Sequence, residues 1–133
     1  MSLERVVRTL ERGTRTHYVY FIVAEPVDPR LETLVKIGTA VDVDRRLADI
    51  RRGSARGAEW LADLSAARRL DLAGYVEADG EVESMLHRAF AKYRKQGTEW
   101  FAIEPLRLDI EAILRAHCVC RGCQREGRGH AHL

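Results

Sequence analysis

Residues 17 to 47 begin His17-Tyr18-Val19-Tyr20-Phe21-Ile22-Val23-Ala24. A polar break follows with Pro26, Asp28, Pro29 and Arg30, then Val35-Lys36-Ile37-Gly38-Thr39-Ala40-Val41-Asp42-Val43-Asp44-Arg45-Arg46-Leu47. The first run is rich in β-branched and aromatic residues, and the break has the length of a hairpin connection, so two adjacent strands are predicted. Gly38 is read as the end of the second strand. Asp42 is read as the N-cap of a helix that carries Val43, Leu47 and Ile50 at i, i+4 and i+7. Two tyrosines and an arginine therefore converge on one small sheet.

Outward from this stretch the hydrophobic period decides each element. Leu3, Val6, Val7 and Leu10 have helical spacing and predict a short amphipathic helix over 2–12, packed on the outside. The helix from Asp42 to Arg52 is expected to end at Gly53, which leads a loop over 53–57. Trp60, Leu61, Leu64 and Ala67 favour a helix over 58–68. From Arg69 to Glu77 the pattern alternates, with Leu70, Leu72 and Val76 on one side, which predicts a third strand. Val82, Leu86, Ala89, Phe90 and Tyr93 form the apolar stripe of a helix over 80–94, and 97–101 reads as a compact turn. Glu104-Pro105 suits a helix start, because proline's missing N–H costs nothing in a first turn. The fold class is α/β in the α+β sense: a small three-stranded antiparallel sheet flanked by helices. The divisions are an N-terminal helical extension (1–16), the sheet-bearing domain (17–103), a C-terminal helix (104–117) and a Cys/His-rich tail (118–133).

With 133 residues, 46% of them hydrophobic, one domain with a genuine core is expected. No apolar run approaches the roughly 18–20 residues of a membrane span, and the first residues lack the layout of a signal peptide. The expected location is the cytoplasm. The net charge of +2 says little about partners. Locally, however, Arg45, Arg46, Arg51, Arg52 and Arg56 form a basic cluster, whose plain alternative is a solvated helix face.

The triplets Tyr18-Val19-Tyr20 and Lys36-Ile37-Gly38, followed by Thr39, Asp42, Arg46 and Leu47, resemble the GIY-YIG nuclease superfamily, in its phage and bacterial branch that reads KIG for YIG. The resemblance spans about 17–101. It implies an α/β sandwich that hydrolyses nucleic-acid phosphodiester bonds, DNA foremost, with a single divalent metal, Mg²⁺ or Mn²⁺. Helical periodicity puts Arg46 at the border of the Val43-Leu47-Ile50 stripe and Arg45 away from it. The family's phosphate-contacting arginine, ten residues beyond the start of the second triplet, is the same Arg46. On the helix over 80–94, Glu83 flanks the buried stripe, and the resemblance gives it the metal. His87, one turn on, can carry a proton or hold Glu83, and Tyr20 can orient water or touch phosphate. Arg45, Arg51 and Arg52 are the further nucleic-acid contacts, and Tyr20, Lys36, Arg46, Glu83 and His87 are expected to line a single concave surface. Two departures stand out: Lys36, a catalytic candidate that could orient or deprotonate water or bind phosphate as a fixed charge, replaces the tyrosine that opens the second triplet, and the chain has no Asn for the family's late asparagine. They keep a second reading open, a non-catalytic DNA-binding module on the same scaffold.

The tail Cys118-Val119-Cys120-Arg121-Gly122-Cys123, followed by His130 and His132, has the ligand types of a tetrahedral Zn²⁺ site, and Cys120-x-x-Cys123 has knuckle spacing. Cys118, Cys120, Cys123 and His130 are the candidate ligands, with His117 also in reach.

Overall fold

The computed structural model describes residues 3–10, 17–52, 68–126 and 132–133. The loop over 53–57 and residues 58–67 of the helix expected over 58–68, and with them Gly53 and Arg56, lie outside the described residues, as does His130, whereas Arg68 itself begins a strand. The described elements run α1 (Leu3–Leu10), β1 (Tyr18–Pro26), β2 (Leu34–Ala40), α2 (Val43–Arg51), β3 (Arg68–Glu77), α3 (Gly80–Ala89), β4 (Trp100–Ala102), α4 (Arg107–His117) and α5 (Arg121–Glu126). The strands form one sheet in the order β3-β1-β2-β4, and every neighbouring pair is antiparallel. The expected antiparallel sheet thus has a fourth strand, built from residues that read as a turn. Trp100 and Phe101 explain it: consecutive strand residues face opposite ways, and each ring enters a different core.

One face of the sheet buries Val19, Phe21, Val35, Ile37 and Phe101 under α1, α3 and α4. The other buries Tyr20, Ile22, Ala24, Leu34 and Trp100 under α2, whose Val43, Leu47 and Ile50 point inward as their spacing predicted. The expectation that Leu70, Leu72 and Val76 share a side is corrected by a bulge. Ile22 pairs with Leu72 but Phe21 pairs with Gly74, so Ala73 is the extra residue and the alternation of β3 flips there. Leu70 and Leu72 therefore lie on the α2 face, whereas Val76 belongs to the opposite core.

Local chemistry sets the helix ends. The Asp42 carboxylate accepts the Arg45 N–H at 3.0 Å and caps α2. Asp79 accepts the Glu81 N–H at 3.0 Å and caps α3. The expected helix over 80–94 is shorter: α3 ends at Ala89, and a 3-10 turn over Ala91–Tyr93 follows. The chain must reverse there, because the Lys95 N–H donates to the Trp100 carbonyl and brings β4 back along β2. β2 in turn runs past Gly38 to Ala40. Helix α1 is not simply external, since Val6 is fully buried against α3 and α4. Among the described residues no helix is long and apolar enough to cross a membrane.

Tyr20 and Gly38 are direct cross-strand partners, and the tyrosine ring lies over the glycine. A Cβ at Gly38 would stand 2.6 Å from Tyr20 Cζ. Gly38→Ala should therefore destabilise the fold by about 1–3 kcal/mol in urea denaturation, through overpacking against a buried ring. Gly80, with nothing within 4 Å of its ideal Cβ, should accept alanine without loss.

Candidate functional site

Strand β4 pairs with β2 at Leu34, Val35 and Lys36, and the Ile37 N–H still donates to the Glu99 carbonyl at 3.4 Å, so among the described residues the edge of β2 has no strand partner from Gly38 onward. Around this open end, at Gly38 and Thr39, the polar side chains gather from both sides of the sheet. Tyr20 and Lys36 stand on the α2 face, because Lys36 pairs with Ile22 and Trp100, both of that core. Thr39, paired with Val19, stands on the other face, under α3. The periodicity arguments turned Tyr20, Lys36, Arg46, Glu83 and His87 toward one surface. They come instead from two faces, because α2 and α3 pack on opposite sides of the sheet.

Glu83 is largely buried on α3. Its Oε2 accepts the Thr39 hydroxyl at 2.9 Å, and its Oε1 lies 3.6 Å from His87 Nε2. No lysine or arginine among the described residues pairs with it, and the donor its carboxylate accepts there is the Thr39 hydroxyl. His87 Nε2 sits 2.8 Å from the Ile37 carbonyl oxygen. A carbonyl only accepts, so Nε2 carries the proton and donates it to β2. The His87 ring also meets Phe101 edge to face at 5.1 Å. Both contacts fix the imidazole as a support for Glu83, one turn away on the same helix.

On the opposite face the Lys36 ammonium is almost fully buried and ion-paired with the Glu99 carboxylate, which is itself 43% exposed. Tyr20 is buried above Gly38. Burial pushes its hydroxyl well above the ordinary tyrosine value; the Arg46 charge opposes this, while Glu99 and Glu83 add to it. These couplings link the two faces, since one phenol senses the guanidinium of α2, the carboxylate before β4 and the carboxylate of α3. Arg46 itself is exposed and, among the described residues, has no carboxylate partner.

The other expected contacts divide. Arg45 is exposed on α2. Arg51 is engaged internally: its Nη2 donates to the Leu70 carbonyl at 2.6 Å and lies 3.9 Å from Asp71. Arg52 pairs with Asp49, three residues earlier on α2. Such surface pairs contribute little and exchange readily, so they weaken the phosphate-contact reading of these two side chains without abolishing it. Tyr18 shares the Tyr20 face but is half-buried and packs edge to face on Tyr75 at 5.2 Å. Sequence reasoning missed Thr39 and Glu99 as members of the cluster. Both follow from pairing: Thr39 lies one residue beyond Gly38, and Glu99 directly precedes β4.

The Tyr20 environment has a pH consequence. A phenol whose folded value is raised contributes stability below the unfolded value of about 10, and that contribution is lost as pH climbs from there toward the folded value. Denaturation midpoints should therefore fall above pH 10 in the wild type and fall less in Tyr20→Phe. Equal alkaline losses in both proteins would contradict the buried phenol.

Comparison with protein families matches residues 17–118 to the T5orf172 domain. No curated protein and no solved structure matches the chain. The assignment to the GIY-YIG superfamily is thereby corrected. Two tripeptides in a hairpin carry little information, whereas the family match runs from the residue before β1 to the residue after α4. Over that span, most of its length, the chain belongs to the T5orf172 domain family.

Proposed function

We propose that the chain acts on nucleic acid, DNA foremost, as a metal-dependent endonuclease whose site stands at the open end of β2. The observation that carries the reading is that Glu83, which no lysine or arginine among the described residues pairs, and the exposed Arg46, which no carboxylate among them pairs, both act on the buried Tyr20 hydroxyl at the end of β2. Phosphodiester hydrolysis needs a positive group on the phosphate, an oriented water and stabilisation of the leaving oxygen.

The residues suit a hard cation. A single carboxylate steadied by the Thr39 hydroxyl and by His87 matches the habit of Mg²⁺, which keeps several waters and takes few protein ligands. A divalent cation on Glu83 would stabilise the negative charge that develops on the leaving oxygen. Arg46 binds the non-bridging phosphate oxygens, and its exposure lets it reach a substrate backbone. Tyr20, held protonated by burial, donates a hydrogen bond to phosphate or to water and is no base near neutral pH. Lys36 is no base either, because its ammonium is paired with Glu99. Glu99 is committed to the buried Lys36 ammonium, so the proton passes to solvent water as the attacking water oxygen bonds to phosphorus and the leaving oxygen departs.

The engagement of Lys36 also favours the second reading, a non-catalytic DNA-binding module, since it removes the lysine as a water-activating group. Cleavage assays separate the two. With Mg²⁺ or Mn²⁺ on single-stranded, duplex and branched DNA, the wild type should nick, and Arg46→Ala and Glu83→Ala should each lose about 10²-fold or more in rate while keeping wild-type stability. Salt-sensitive DNA binding without any nicking would sink the nuclease reading and leave the binding module.

A further inference from the structure

We propose that Cys118, Cys120, Cys123 and His132 form a structural zinc site that fastens the C-terminal segment to β3. Their ligand atoms, three sulfurs and one imidazole nitrogen, all lie within 4.8 Å of one another. Tetrahedral ligands about 2.3 Å from a shared zinc are about 3.8 Å apart, so a small contraction closes the set around one ion. The fourth ligand is His132 in place of the expected His130: its Nε2 lies 3.1 Å from Cys123 Sγ.

Three further features fit a built site. The His132 ring is fully buried, and its other nitrogen, Nδ1, lies 3.8 Å from Glu111 Oε1 on α4. A carboxylate behind the second nitrogen is the arrangement that orients metal-bound imidazoles. The Cys120 N–H points at Cys118 Sγ from 3.5 Å, the kind of backbone donor that holds a metal-ligating sulfur in place. Gly74 completes the cradle: a Cβ there would stand 2.8 Å from Cys118 Sγ and 3.3 Å from His132 Cδ2. The β3 bulge turns this glycine toward the tail, and the Val119 N–H donates to the neighbouring Tyr75 carbonyl at 2.9 Å. An adjoining cavity of about 330 Å³, lined in part by Tyr75, Cys120 and Gly122, gives an ion access.

Zinc chemistry explains why six residues hold three cysteines. Deprotonation on binding converts the thiols to thiolates, and the ion replaces the apolar core that so short a segment could not supply. The site is independent of cleavage at the open end of β2. Arg121, inside the knuckle, lies 3.4 Å from Asp44 on α2, so the ion also ties the tail to that helix.

Elemental analysis of the full chain, purified under reducing conditions without chelator, tests the proposal. One zinc per chain is expected. Replacement by Co²⁺ should give the visible absorption of a tetrahedral thiolate site. His132→Ala should lose the ion, His130→Ala should keep it, and His132→Cys, which restores four donors, should keep it with stronger thiolate-to-cobalt absorption. Wild-type protein with neither stoichiometric zinc nor a thiolate–cobalt spectrum would overturn the proposal, and so would loss of metal in His130→Ala but not in His132→Ala.

Discussion

Strand β1 is buried on both faces and paired on both edges, and the rest of the fold answers that constraint. Val19 and Phe21 point into one core, Tyr20, Ile22 and Ala24 into the other, so helices must cover each side. A two-sided strand cannot slip by a single residue without exchanging every side chain between cores. The register that follows sets Tyr20 opposite Gly38, and only a residue without Cβ leaves room for the ring. The position of the phenol at the end of β2 is thus a consequence of packing at the centre of the sheet.

The proposed site stands where the packing stops. β4 is three residues long and, among the described residues, leaves β2 without a strand partner after Ile37, and polar groups from three elements meet at that opening. Buried charges there are handled in different ways. Lys36 is neutralised by Glu99, as a buried ammonium requires, whereas Glu83 accepts the Thr39 hydroxyl and has no lysine or arginine partner among the described residues. A carboxylate left without a counter-charge inside a fold invites a cation. The same rule applied to sulfur distinguishes the tail, where three cysteines and a buried imidazole share one small volume against β3.

Elements whose signal is local were legible in the sequence. The β1–β2 hairpin, the Asp42 cap, the inward stripe of α2 and the start of α3 at residue 80 all came from spacing and capping chemistry. What depends on pairing was not. The bulge at Ala73 reverses the faces of β3 in mid-strand, and no local pattern announces it. Trp100 and Phe101 read as a turn because three residues are too few for an alternation to register. At the site, helical periodicity found the faces of α2 and α3 that carry Arg46 and Glu83, but it could not say that these helices lie on opposite sides of the sheet. Cys120-x-x-Cys123 spacing pointed to metal chemistry, whereas the histidine that joins it, near the end of the chain, was a matter of tertiary placement.

The central claim is that a divalent cation binds at Glu83, beside the open end of β2. Paramagnetic relaxation by Mn²⁺ in amide-resolved NMR tests it most directly. Sub-stoichiometric Mn²⁺ should broaden the signals of Gly38, Thr39, Glu83 and His87 first, and Glu83→Gln should abolish that focus. Broadening centred on other acidic residues, or persisting unchanged in Glu83→Gln, would contradict the account.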